Sequence, residues 1–193
     1  MERFLNLRKK NFAVYGLGAT GKSVINYLNK KKIRNYSVWD DNKILRKNFK
    51  SKTNNFEKSL NNQDYIVVSP GINIKKSKFK KKLIKFKKKI ITDLDLFYLI
   101  NPNVKTIVVT GTNGKSTTCK ILEHLLKKNK KKVKVGGNIG KPILDLNISK
   151  NSVVIIEASS FHLALSQHVK PNYGIILNLS RDHIDWHGNM NNY

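Results

Sequence analysis

Apolar residues in this chain come in short runs broken by polar, glycine-marked turns. Phe12–Tyr15 runs straight into a glycine turn, and beyond it Val24, Ile25 and Leu28 keep helical spacing within Gly21–Asn29. Tyr36–Trp39 reads as a second strand ending in Asp40–Asp41, and Tyr65–Val68 as a third, closed by the turn signal Ser69-Pro70-Gly71. Ile90–Ile91 is a short fourth strand, followed by an apolar-rich helix over Asp93–Ile100. This strand–helix alternation predicts a parallel sheet covered on both faces. Asn101-Pro102-Asn103 reads as a linker, after which the pattern restarts. Thr106–Thr110 is a strand, Gly111–Gly114 a tight turn, and Ser116–Lys128 a helix with apolar Ile121, Leu122, Leu125 and Leu126. Further strands are expected over Val133–Val135, Val153–Ile156 and Gly174–Leu179. The expected fold class is therefore α/β: a Rossmann-like parallel-sheet domain over 1–100, then a P-loop-type α/β ATPase domain over 103–193. The pattern stops at Asn191-Asn192-Tyr193 with a sheet edge unpaired, so the chain is expected to be a fragment of a longer protein.

Composition narrows this little. Hydrophobic content of 39% over 193 residues supports a packed core. The single cysteine, Cys119, excludes an internal disulfide and suits a reducing cytoplasm, where it reads as a small buried residue on a helix. No apolar run reaches the roughly 18 residues needed to span a bilayer, and MERFLNLRKK lacks a signal-peptide core. The expected protein is a cytoplasmic monomer with no membrane partner. The charge, 38 Lys+Arg against 12 Asp+Glu for a net +26, raises nucleic acid as a partner. The lysines, however, cluster at 30–32, 75–89 and 127–132, near predicted helix ends and not on a stripe interleaved with aromatics. They read as a solvated surface, and no specific nucleic acid is expected.

Two glycine loops compete for the chemistry. GLGATGKS, Gly16–Ser23, satisfies both the dinucleotide pattern G-x-G-x-x-G and the triphosphate pattern G-x-x-x-x-G-K-[ST]. A triphosphate site also needs an acid at the end of a neighbouring strand to complete the Mg²⁺ shell. TIVVTGTNGKSTT has that partner, because VVIIEASS ends its apolar run in Glu157. Its Gly111, Thr112, Asn113 and Gly114, with Lys115, Ser116 and Thr117, supply backbone donors, a lysine and a hydroxyl at a helix N-terminus, although Val109 stands where the standard loop has its first glycine. After the first loop comes Asp40, 19 residues beyond Gly21, which is the spacing of a ribose-binding acid. Gly16, Gly18 and Gly21 are thus read as receiving a diphosphate with a ribose attached, without a metal. In NLSRDHIDWHG, His183 lies between Asp182 and Asp185 at a strand end and is a candidate ligand for a divalent cation.

TGTNGKST, EASSF and NLSRDHIDWHG together resemble the central ATPase domain of the Mur ligase family, the ATP-dependent amide-forming enzymes of peptidoglycan synthesis. GLGATGKS, SPGI at 69–72, TDLDLF, GGNIGKP and EASSFHL are most similar to its D-glutamate-adding branch. The resemblance implies ATP and two Mg²⁺ ions as cofactors, with Lys115 and Gly111–Thr117 on the phosphates. It implies Ser116 and Glu157 on one metal and His183 on the second. It further implies UDP-N-acetylmuramoyl-L-alanine and D-glutamate as substrates, with Gly16, Gly18, Ala19, Thr20, Gly21, Asp40, Gly71, Asn138 and Ser159 as contacts for the UDP-sugar. The family's chain runs on to a carbamylated lysine and an amino-acid-binding domain that these residues do not include, so the fragment alone is expected to be inactive. Two departures are visible: Asp40-Asp41-Asn42, where a basic or hydroxyl residue commonly follows the acid, and His162, where a glutamine is usual. The alternatives are another Mur or folylpolyglutamate-type ligase, or, in a different class, an NAD(P)-binding oxidoreductase domain.

Overall fold

The computed structural model describes residues 7–49, 52 and 55–193. Residues 1–6, which open the MERFLNLRKK segment, lie outside the described residues, as do positions 50, 51, 53 and 54. The chain divides into two units, Met1–Ile100 with Leu165–His168, and Asn101–Ala164 with Val169–Tyr193. A single boundary near the Asn101 linker would put Leu165–His168 in the second unit.

The first unit holds a parallel four-stranded sheet in the order β2-β1-β3-β4, made of β1 Phe12–Tyr15, β2 Tyr36–Trp39, β3 Tyr65–Val68 and β4 Ile90–Ile91. All four residues of β1 are fully buried. This is what a central parallel strand with both faces covered requires, and it explains why β1 is apolar throughout and does not alternate. Helix α1, Ala19–Lys30, buries Val24, Ile25 and Leu28. It is followed by α2 Lys43–Arg46, α3 Phe56–Ser59, α4 Lys80–Lys85 and α5 Asp93–Ile100. On one face Tyr15, Phe56 and Phe79 pack with ring centroids 5.3–6.0 Å apart, and Trp39 closes on Phe79 at 5.5 Å. Each such ring gains about 1.5–3 kcal/mol by leaving water, the driving force for this cluster. The buried Tyr15 hydroxyl reaches Asp41 Oδ2 at 2.6 Å and Ser77 Oγ at 2.8 Å, and burial pushes the phenol well above its usual range. Inside the same unit, the buried Asp95 carboxylate accepts the Thr92 and Gln167 N–H groups at 2.7 and 2.8 Å, tying in the returning segment.

The second unit repeats the plan in the order β6-β7-β5-β8, again all parallel. Its strands are β5 Lys105–Thr110, β6 Val133–Gly137, β7 Val153–Glu157 and β8 Tyr173–Ile176; its helices are α6 Lys115–Lys128, α7 Ser160–Leu165 and α8 Ile184–His187. On α6 the expected apolar face is only half used. Leu122 and Leu126 pack against the core, and Cys119 is fully buried, its thiol pushed up to about 11 by burial and by the nearby Glu157 charge. Ile121 and Leu125 are instead 53% and 49% exposed. The last strand is shorter than the expected Gly174–Leu179, and Tyr173, Ile176 and Leu179 are about 70% exposed along it and just beyond it, as befits an edge strand. In both sheets the chain leaves a central strand in opposite directions, between β1 and β3 and between β5 and β7. The crevices at those carboxyl ends are where open α/β sheets take ligands.

Candidate functional site

In the second unit the loop between β5 and α6 is shaped by its glycines. Gly111 has φ +131° and a Cβ there would stand 3.0 Å from the Asn178 carbonyl oxygen; Gly114, the N-cap of α6, has φ +83°. No side chain caps this helix start, which leaves its first N–H groups for an anion. Asn178 clamps the loop from the far side. Its Oδ1 accepts the Asn113 N–H at 2.9 Å, its Nδ2 donates to the Asn113 carbonyl at 3.1 Å, and its own carbonyl accepts the Thr112 N–H at 3.0 Å. Thr112 Oγ1 accepts the Ser180 N–H at 3.0 Å and lies 2.8 Å from the Tyr193 hydroxyl. The Lys115 ammonium folds back onto the Gly111 and Thr112 carbonyls at 2.7 and 2.8 Å. Those carbonyl oxygens satisfy a cation that a phosphate oxygen, carrying charge, would hold more strongly. Thr117 lies exposed in the first turn of the same helix.

Glu157 ends β7 with only 2% of its surface exposed. Ser116 Oγ donates to its Oε2 at 2.7 Å, and Asn138 Nδ2 donates to its Oε1 at 3.0 Å, while the Asn138 N–H binds the Glu157 carbonyl at 2.8 Å. Gly137 makes this approach possible: with φ +104°, a Cβ there would lie 2.4 Å from the Glu157 carbonyl oxygen. Asn138, which the resemblance puts on the sugar, also orients the carboxylate.

A hydroxyl and a carboxylate in mutual contact form a hard-oxygen pair suited to Mg²⁺, which takes one or two carboxylates and completes its shell with water and phosphate oxygens. No group of three or more His, Cys, Asp or Glu side chains gathers among the described residues, so the donor set does not suit a self-contained zinc cage. His183 stands on its own loop at the start of α8, with φ +52°, its Nε2 3.3 Å from Asp182 Oδ2 and its ring centroid 4.7 Å from that of Phe161. Ser159 is buried, with its hydroxyl 2.9 Å from His162 Nδ1.

The first unit's loop separates its three glycines by role. At Gly16, with φ +101°, a Cβ would stand 2.6 Å from Ser69 Cβ, and at Gly21 it would lie 1.7 Å from the Gly16 carbonyl oxygen. At Gly18 nothing lies within 4 Å, so that position leaves room for close approach from outside the fold. Ala19 and Gly71 are exposed and Thr20 half-buried around the same turn. Asp40 is buried, and its oxygens take the Leu17 N–H at 2.6 Å and the Asn42 N–H at 2.8 Å, so it first of all holds the turn. Arg46 stacks over Trp39 at 4.0 Å and donates to the Asp40 carbonyl at 2.5 Å, bringing a cation to the end of β2 where Asn42 has none. The triphosphate reading fails here on geometry. Ser23 is 2% exposed inside the packing of α1, and Lys22 points to solvent.

A model of the Mur ligase middle domain matches residues 109–193, and one of the Mur ligase MurD-like N-terminal domain matches residues 10–91. The chain belongs to the Mur ligase family. Among curated relatives it is 42% identical over 193 residues to the UDP-N-acetylmuramoylalanine–D-glutamate ligase of Wolbachia pipientis wMel, covering 96% of this chain and 38% of that protein. It is 39% identical over 193 residues to the ligase of the same name from Rickettsia felis, covering 96% and 42%. This Mur ligase chain thus spans about two fifths of the length of those relatives. A solved UDP-N-acetylmuramate:L-alanyl-gamma-D-glutamyl-meso-diaminopimelate ligase from Neisseria meningitides matches with a TM-score of 0.52 at 17% identity, over 94% of this chain and 64% of that one, a likeness of fold. Within the Mur ligase scaffold, Asn178 and Gly137 are the positioning residues that sequence reasoning passed over. Asn178 opens the quoted NLSRDHIDWHG run but falls inside the expected Gly174–Leu179 strand, so nothing in the sequence marks it as a loop clamp.

Proposed function

We propose that this chain is the substrate- and ATP-binding part of a ligase that joins D-glutamate to UDP-N-acetylmuramoyl-L-alanine in the cytoplasm, working as a monomer. The observation that carries this reading is the division of labour between the two glycine loops. One has a lysine, an exposed hydroxyl and a buried strand-end carboxylate within hydrogen-bond reach. The other has an open middle glycine, a Ser23 buried within its helix, and a strand-end acid, Asp40, whose oxygens are already taken by the Leu17 and Asn42 N–H groups, which suits a substrate cradle without a metal.

In this mechanism Gly111–Thr117 and Lys115 hold the ATP phosphates. Ser116 and Glu157 hold one Mg²⁺ and His183 the second; these ions supply charge neutralisation between the triphosphate and an incoming carboxylate. The substrate's alanyl carboxylate oxygen attacks the γ-phosphorus, the bond to the β-phosphate bridging oxygen breaks, and ADP leaves, giving an acyl phosphate. The D-glutamate amine then adds to the acyl carbon, loses a proton, and expels inorganic phosphate as the amide forms. Asn138 keeps the Glu157 carboxylate turned toward Ser116, and Asn178 keeps the loop backbone aimed at the phosphates. Gly16–Gly21, Asp40 and Gly71 receive the UDP end, and Ser159 the sugar.

The full-length protein, given ATP, Mg²⁺, UDP-N-acetylmuramoyl-L-alanine and one amino acid at a time, is expected to release phosphate in step with amide formation for D-glutamate alone. Equal turnover with another amino acid, or with a folate acceptor, would replace this reading by the neighbouring ligase one.

A further inference from the structure

We infer that the outward face of α4 and its flanks is a peripheral docking surface for an anionic lipid bilayer. The segment 75–89, KKSKFKKKLIKFKKK, holds ten lysines and no acid. It is not a loose tail. Phe79 and Leu83 are buried in the first unit's core and Phe86 packs against it, so one apolar line pins the segment down and the lysines project from a fixed surface. On α4 the exposed positions Lys80, Lys81, Ile84 and Lys85 follow the i, i+1, i+4, i+5 spacing of a single helical face. Ile84 is 55% exposed in the middle of it.

An apolar side chain ringed by lysines suits the boundary between anionic headgroups and acyl chains, where isoleucine inserts and ammonium groups stay at headgroup level. Against a nucleic-acid backbone the same isoleucine would meet only charge and water. The contact is peripheral, since no described helix is long and apolar enough to cross a membrane. The face carries none of the residues assigned to ATP or to the UDP-sugar, so it operates independently of the proposed reaction.

The test is sedimentation of the full-length protein with phosphatidylcholine vesicles, with and without about a third phosphatidylglycerol, at roughly 0.1 M salt, where screening acts over about 10 Å. The variant is K80Q/K81Q/K85Q, and a control, K127Q/K128Q/K130Q, removes the same charge from the second unit. Each lysine near such a surface is worth about fivefold in partitioning, so the α4 variant should lose about 100-fold and the control less than about threefold. Ligase turnover should be unchanged in both, which separates lost docking from lost folding. The proposal is overturned if the protein ignores the anionic vesicles, if both triple variants lose equally, or if it binds duplex DNA while leaving the vesicles alone.

Discussion

Ser116 Oγ sits 2.7 Å from Glu157 Oε2, joining the first turn of one helix to the end of a strand 41 residues further along the chain. The hydroxyl donates to the carboxylate there, and Asn138 holds the other carboxylate oxygen at 3.0 Å. Replacing Glu157 by Gln keeps the shape and removes the charge. We expect phosphate release by the full-length protein to fall by about two to three orders of magnitude, the usual cost of losing one preorganised electrostatic group. Binding of the UDP-sugar, measured by calorimetry, should stay within about threefold. Ser116→Ala should do less, since water can replace a hydroxyl ligand.

The glycines of the first loop give a contrast that needs no enzyme assay. Gly21→Ala would force a methyl to 1.7 Å from a backbone carbonyl, and we expect a loss of about 1–3 kcal/mol or more, read as a lowered Tm. Gly18→Ala meets nothing within 4 Å and should melt close to the parent. It should nonetheless weaken UDP-sugar binding by about tenfold if, as we propose, the diphosphate approaches at that position. Normal melting of Gly21→Ala would show that the turn is wrongly described.

Asn178 makes three hydrogen bonds with the Gly111–Thr117 loop, two of them through its side chain. Asn178→Ala removes those two, each worth about 1 kcal/mol. The expected phenotype is a raised KM for ATP with kcat changed much less, and KM for the UDP-sugar unmoved.

Asp64 accepts the Asn11 N–H at 2.8 Å and the Lys10 ammonium at 3.0 Å, and these contacts, the backbone one foremost, hold its carboxyl below the usual range. A depressed folded-state value means stability that is complete above the unfolded pKa of about 3.9 and is lost as pH falls through the folded one. Asp64→Asn should therefore be less stable than the parent at pH 7, and the gap should narrow on going to pH 3. Urea melts at the two pH values measure it, and a gap that widened in acid would reverse the assignment.

How much of this was legible beforehand depends on the kind of signal. The strands Phe12–Tyr15, Tyr36–Trp39, Tyr65–Val68 and Ile90–Ile91 coincide with β1–β4, because short, mostly apolar runs bounded by polar or turn residues leave little freedom. Local pattern misled on α6, where Ile121 and Leu125 keep helical spacing yet face solvent. Spacing reports which residues share a face but not whether anything covers it. Asp40 stands at the distance from Gly21 expected of a ribose-binding acid, and that distance does not reveal that its oxygens are occupied by the Leu17 and Asn42 N–H groups. Asn138 and Asn178 were harder still, since each works through a partner, Glu157 or Asn113, that only the folded sheet brings near.

We propose that the ATP phosphates lie on Gly111–Thr117, which misses the standard pattern, and not on Gly16–Ser23, which matches it. Nucleotide-dependent phosphate release by the full-length Lys115→Ala and Lys22→Ala variants tests this directly. The account predicts that Lys115→Ala abolishes release and hydroxylamine-trappable acyl phosphate while still binding the UDP-sugar, and that Lys22→Ala turns over near the wild-type rate. Lys115→Ala working within tenfold of wild type, or Lys22→Ala failing in its place, would contradict it.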